Sequence, residues 1–97
     1  MSVLIDLSIF PLDKGDSLSS HVARALKIIK DSGLAYELGP MGTSLEGDWD
    51  QVMGVVNSCF KELKKDCDRV YMALKLDYRK GSSGRLKSKV KSVEKKL

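Results

Sequence analysis

Residues 32 to 48 read SGLAYELGPMGTSLEGD, from Ser32 to Asp48, and hold four of the eight glycines and one of the two prolines in the chain. Glycine and proline at this density impose tight turns between short elements. Ala35 to Leu38 is long enough for one short strand. Gly39-Pro40 turns the chain, and Met41 to Glu46 forms a second strand. Two consecutive strands therefore lie in the middle of the sequence, and the fold depends on what flanks them.

Upstream, residues 3 to 10 (VLIDLSIF) alternate. Val3, Ile5, Leu7 and Ile9 share one face, and Leu4, Asp6, Ser8 and Phe10 share the other, which is the period of a strand. Pro11, lacking a donor, is expected to end it. Asp13 to Asp16 form a turn, with Asp16 or Ser17 placed to accept from the first free amides of a helix. Leu18, Val22, Ala25, Leu26 and Ile29 recur at helical spacing through Ser32, opposite Ser20, Arg24, Lys27 and Lys30. Gly33 closes that helix.

Downstream, Asp48 and Gln51 suit a capping box. Val52, Val55, Val56, Cys59 and Leu63 then mark the buried stripe of a helix running to about Lys65. Arg69 to Arg79 alternates again, as the longest strand. Gly81-Ser82-Ser83-Gly84 is a flexible break, and Leu86, Val90, Val93 and Leu97 give the segment from Arg85 to Leu97 a narrow apolar helical stripe.

The order strand, helix, strand, strand, helix, strand, with an appended helix, is the split βαβ arrangement of an α+β, ferredoxin-like βαββαβ sandwich. Residues 1–97 form one domain, with 81–84 as the break and 85–97 as a basic C-terminal helix. Right-handed crossovers put the first two helices on one face of a four-stranded antiparallel sheet. The other face carries Leu4, Ser8, Phe10, Tyr71 and Ala73. It is too apolar to be simply solvated and too polar, at Asp6, Ser8, Lys75 and Asp77, for ordinary core, so a partner sheet, the C-terminal helix or a ligand should cover it.

Composition narrows the function. The chain is 42% hydrophobic and 31% charged, which is ordinary for a globular protein. No apolar run approaches the roughly 20 residues that span a bilayer, and the N-terminus lacks the basic and apolar regions of a signal peptide. A cytoplasmic protein with reduced cysteines is expected. The net charge of +4 is uneven: residues 79–97 contribute +7 and leave −3 for the rest. Nucleic acid is not the expected partner, because the central strands place Asp6, Ser8, Ala73, Lys75 and Asp77 where an RNA-recognition sheet needs stacking aromatics.

Catalytic chemistry finds no support. His21, the single histidine, belongs to no Ser/His/Asp ordering and to no Cys/His pair with an orienting group, and reads as a surface or helix-packing residue. Cys59, Cys67 and His21 show none of the usual metal-ligand spacings, so no metal site is expected, and Cys59 reads as core. Gly39, Gly42 and Gly47 match no nucleotide-binding loop. They serve turn geometry, and Gly42 could also admit a ligand close to the backbone. Glu37 and Glu46 could face one cleft if the hairpin register allows, or be edge-strand and helix-end charges.

The run SGLAYELGPMGTSLEGD resembles the YkoF-like thiamine-binding protein family. So do the ending Ser8-Ile9-Phe10-Pro11 of the first strand, the Ser17-Leu18-Ser19 opening of the first helix and the KLDYRKG ending of the last strand. The likeness covers essentially the whole chain. It implies a non-enzymatic subunit, without cofactor, that binds thiamine or its hydroxymethylpyrimidine moiety and assembles through its sheets as a homotetramer of two dimers. The family's polar positions map onto Ser8, Glu37, Thr43 and Glu46, with Tyr36 and Met41 as neighbours. Carboxylates suit the amino group and cationic thiazolium of such a ligand, and Tyr36 or Met41 suits a flat ring. The alternative is an oligomeric regulatory or interaction module whose sheet face serves assembly and binds no thiamine.

Overall fold

A computed structural model describes residues 2–97. Seven elements follow in order: β1 (Val3–Pro11), α1 (Ser19–Asp31), β2 (Ala35–Leu38), β3 (Thr43–Gly47), α2 (Trp49–Lys64), β4 (Val70–Tyr78) and α3 (Arg85–Glu94). The strands form one antiparallel sheet in the order β2-β3-β1-β4. This is the expected ferredoxin-like α+β fold, with α1 and α2 packed on one another and on β1.

β1 is the centre of the sheet, and its alternation is fully expressed. Val3, Ile5, Leu7 and Ile9 are buried, and the residues between them are half-buried. The buried set meets Ala25 and Ile29 of α1, Val52, Val56, Cys59 and Leu63 of α2, and Leu45 of β3. An ion-pair cluster ties the helices together at the outer edge of this core. The Arg24 guanidinium donates to Glu62 at 2.8 Å and to both oxygens of Asp66 at 2.9 and 3.0 Å. These pairs are partly exposed, so they orient α1 against α2 more than they stabilise the fold.

Several boundaries differ from the sequence expectation. Pro11 belongs to β1 instead of ending it, opposite Val70 of β4. β1 pairs with β3 only from Val3 to Leu7, so its last residues have one neighbouring strand and a missing donor is tolerated. α1 starts at Ser19, so neither Asp16 nor Ser17 caps it; the Leu18 carbonyl accepts from the His21 and Val22 amides. Asp48 does occupy the N-cap position of α2, but its side chain makes no capping bond and the expected box with Gln51 does not form. Its carbonyl takes the Val52 amide at 2.9 Å instead. α3 ends at Glu94, short of Leu97. Gly33 closes α1 as expected, at φ 78°, a conformation that a side chain would strain.

The core is small, so single truncations in it should be costly. Leu63 and Leu45 are completely buried. Leu63→Ala is expected to lower unfolding stability by about 2–5 kcal/mol. Urea denaturation checks this, and a loss below about 1 kcal/mol would show that the helix layer collapses around the deletion.

Candidate functional site

The register of the three adjacent strands decides where each candidate side chain points. Leu45 pairs with Ile5 and Tyr36, and Thr43 pairs with Leu7 and Leu38. These residues share the face that looks towards the helices. Glu46 pairs with Leu4 and Ala35, and Ser44 pairs with Asp6 and Glu37. Glu37, Ser44 and Glu46 thus lie on the opposite face, with Ser8, which sits across from Ala73 of β4. The expected set is divided by the sheet, with Tyr36 and Thr43 on one side and Ser8, Glu37 and Glu46 on the other. Met41 sits in the turn between β2 and β3 and is exposed.

On the helix side, the end of β1, the inner face of α1 and the β2–β3 turn line a cavity of about 300 Å³. Its walls are apolar, with Leu7 and Ile9 from β1, Leu26 and Ile29 from α1, and Leu38 and Met41 at the rim. Thr43 forms part of the wall. It is 4% exposed, and its hydroxyl makes no hydrogen bond with the described residues. No lining residue is charged. Ser8 also contributes to the wall, although the alternation of β1 directs its side chain to the other face. Tyr36 lies one groove further along, among Lys27, Lys30 and Asp31, and Leu26 and Leu38 line both hollows. Of the six expected residues, Ser8, Met41 and Thr43 border this cavity, Ser8 with its side chain turned to the other face of the sheet.

The turn that frames the cavity explains its glycines. The Gly39 amide donates to the Gly42 carbonyl at 2.9 Å, and a Cβ on Gly39 would lie 2.8 Å from that same oxygen. A Cβ on Gly42 would lie 2.9 Å from the Asp6 carboxylate and 3.2 Å from the Leu7 carbonyl. What approaches Gly42 closely is β1 itself. The glycines let the hairpin lie flat against the central strand, which brings Met41 and Thr43 to the cavity. Leu26 and Leu38 were not among the expected site residues. Leu38 was within reach, since it shares a strand face with Tyr36.

Glu46 has a different environment. One carboxylate oxygen accepts from the Ser2 hydroxyl at 2.8 Å and from the Arg85 amide at 3.0 Å, and the other accepts from the Leu86 amide at 3.1 Å. Glu46 thus caps the N-terminus of α3, where the first amides lack partners within the helix and an anion is favoured. Burial pushes its carboxyl upward, but the hydrogen bonds from Arg85, Leu86 and Ser2 outweigh this and hold it below its ordinary value. Asp77 of β4 adds a second anchor. It accepts from Lys89 at 2.8 Å and from the Arg85 guanidinium, which together hold its pKa at about 2. α3 is thereby fixed across β2 and β3, and Leu86 is buried apart from the main core. Glu37 remains exposed on the edge strand.

The profile of a family described as thiamine-binding protein matches residues 5–94. This chain belongs to that family. A UPF0045 protein of Methanocaldococcus jannaschii is 36% identical over 91 residues, covering 94% of this chain and 91% of its own length. A UPF0045 protein of Mycobacterium bovis is 36% identical over 98 residues, covering 100% of this chain and 96% of its own. A crystal structure from M. jannaschii has a TM-score of 0.89 at 35% identity, covering 96% of each chain. A Thermotoga maritima structure, of a protein provisionally linked to thiamine biosynthesis or salvage, has a TM-score of 0.85 at 26% identity, over 96% of this chain and 99% of that one. In this thiamine-binding family member, no helix among the described residues is long and apolar enough to cross a membrane.

The α3 anchor can be tested in the isolated family member. Glu46→Ala removes the acceptor of two amides and should loosen α3 by about 1–3 kcal/mol. Hydrogen exchange of the Ser88 to Val90 amides should then quicken roughly tenfold or more, while β1 stays protected. Acid should do the same to the wild type. Both carboxyls are depressed in the folded state, so their contribution is complete above the ordinary carboxylate range. It is lost as pH falls from about 4 towards 2. Unchanged α3 exchange in the variant would show that Glu46 does not hold the helix.

Proposed function

We propose that this chain binds the aminopyrimidine part of thiamine, or free hydroxymethylpyrimidine, in the cavity between β1, α1 and the β2–β3 turn, and that it does so in the cytoplasm without catalysis. The observation that carries this reading is Thr43, whose hydroxyl has no hydrogen bond to the described residues in an otherwise apolar, uncharged wall. A flat heterocycle suits such a place. Its faces can lie against Leu26, Ile29 and the Met41 thioether, while a ring nitrogen or amino group meets the hydroxyl. A cavity of about 300 Å³ is at the small end for ligand sites, matching one ring better than a whole diphosphate ester.

The absence of charge in the lining sharpens the expectation. The thiazolium and any phosphate would remain at the mouth, near Met41, so phosphorylation should add little affinity. Glu37 and Glu46 lie on the far side of the sheet and cannot meet a ligand in this cavity of their own subunit. Glu37, on an edge strand, would do so only at the mouth of a neighbouring subunit's cavity.

Self-association belongs to the same proposal. α3 covers one end of the open face, leaving Ser8, Phe10, Tyr71 and Ala73 at the other. The Phe10 and Tyr71 rings lie 5.5 Å apart, and Tyr71 is 52% exposed. An aromatic pair of this kind on a sheet face suits a matching face of a second copy. We infer dimers joined there, and a homotetramer built from two of them.

Calorimetry with hydroxymethylpyrimidine, thiamine and thiamine diphosphate tests the ligand. Saturable binding by all three with similar affinity is expected, and Thr43→Val should weaken each by about 1 kcal/mol, roughly fivefold. No binding by any of them, or equal binding by the variant, would remove the cavity from the function. Light scattering tests assembly: a stable oligomer that binds none of the three supports an assembly module instead, and a monomer at micromolar concentration overturns the interface.

A further inference from the structure

Neither the cavity nor the open face uses His21, which the fold places against the chain that leaves α2. There Asp66 and Cys67 follow the last helical turn. One donor atom from each of His21, Asp66 and Cys67 lies within 4.8 Å of the others. His21 is remote in sequence from the adjacent pair Asp66-Cys67, so no ligand spacing announces the group. Two further observations set the group apart from an ordinary surface cluster. His21 Nδ1 is buried and has no hydrogen-bond partner. The Cys67 thiol is also buried, with Asp66 Oδ1 3.7 Å away as its polar contact.

We propose that His21 Nδ1, an Asp66 carboxylate oxygen and the Cys67 sulfur bind a divalent transition ion of the zinc type. Nitrogen, oxygen and thiolate sulfur are the donors such an ion takes, and three protein ligands leave a fourth position for water. Tetrahedral zinc places its ligand atoms roughly 3.3–3.8 Å apart, so the site must close by about 1 Å. Asp66 and Cys67 lie in the turn after α2, where that movement is possible without disturbing a helix.

The surroundings already orient the carboxylate. Arg24 donates to both Asp66 oxygens and is itself held by the Glu62 carboxylate at 2.8 Å and the Glu62 carbonyl at 2.7 Å. Each Asp66 oxygen keeps a lone pair for the metal, and the shared guanidinium fixes its direction, as outer-sphere partners do in metal sites. Glu62 offsets the charge of Arg24, so the approaching cation is not simply repelled. Lys65, which pairs with Glu62, and Lys14 and Asp13 beside Cys67 complete the charged surroundings.

Binding must displace the thiol proton to solvent as the sulfur–metal bond forms. Burial, reinforced by the neighbouring Asp66, pushes the Cys67 thiol upward. Metal affinity should therefore rise with pH, because a competing proton is lost more readily.

Titration of chelator-treated full-length protein with Zn²⁺ alone tests the proposal, with Co²⁺ as an optical probe. One ion per chain should bind, Co²⁺ should give a thiolate-to-metal charge-transfer band, and affinity should increase with pH. His21→Ala and Cys67→Ser should each weaken Zn²⁺ binding at least tenfold, and Cys67→Ser should abolish the band. Cys59→Ser, in the core away from the cluster, should leave both unchanged. Should Cys67→Ser fail to fold, His21→Ala and the wild-type Co²⁺ spectrum still decide. Absence of saturable binding, a missing thiolate band, or equal affinity in folded His21→Ala would overturn it.

Discussion

Everything in this fold is referred to the pairing of β1 with β3 and β4. A central strand whose alternate residues are buried has one register available, because a slip by one position would turn Val3, Ile5, Leu7 and Ile9 out to the open face. With β1 fixed, Leu45 must face Ile5, and the rest of the hairpin follows by parity. Thr43 then faces the helices, while Ser44 and Glu46 face away. The cavity and the α3 anchor are consequences of the same ladder, seen from opposite sides.

That ladder also separates what was legible in the sequence from what was not. Alternation in β1 and β4 and the helical stripes of α1 and α2 were enough for the βαββαβ fold, since each pattern reports burial directly. The polar positions Ser8, Glu37, Thr43 and Glu46 fall on both faces of the sheet for a reason available in the sequence. Thr43 and Glu46 are an odd number of residues apart in one strand, as are Tyr36 and Glu37, so neither pair can share a face. Turn composition marks the hairpin that frames the cavity but carries no information about sidedness. Met41 and Thr43 do meet at a cavity, which the hairpin and α1 close jointly.

Other features depend on contacts between distant segments and left no local trace. Glu46 was open to a helix-end reading, but at the helix that follows it in sequence. The helix it caps is α3, which begins after the whole of α2 and β4 have intervened. The boundary errors have a similar source. Asp48 has the right residue type and the right backbone for a cap, yet the carbonyl alone makes the bond. Pro11 stays in the sheet because β3 has already ended beside it, a fact about a neighbouring strand that no rule applied to β1 alone contains.

The position of α3 constrains how the open face can be used. Its anchors, Glu46 and Asp77, stand opposite Leu4 in the two strands that flank β1, so the helix occupies the end of the sheet where β1 begins. The aromatic pair Phe10 and Tyr71 lies at the other end, together with the last residues of β1 that help wall the cavity. A second copy seated on the aromatic end would press on the strand segment behind which the cavity lies, whereas one seated on the sheet beneath α3 would first have to break two carboxylate anchors. For the proposed dimer, the less costly sheet-to-sheet contact would then be the one nearest the cavity. Assembly and occupancy of the cavity would then act on the same short stretch of β1, from Ser8 to Phe10, and a change at either should be felt at the other.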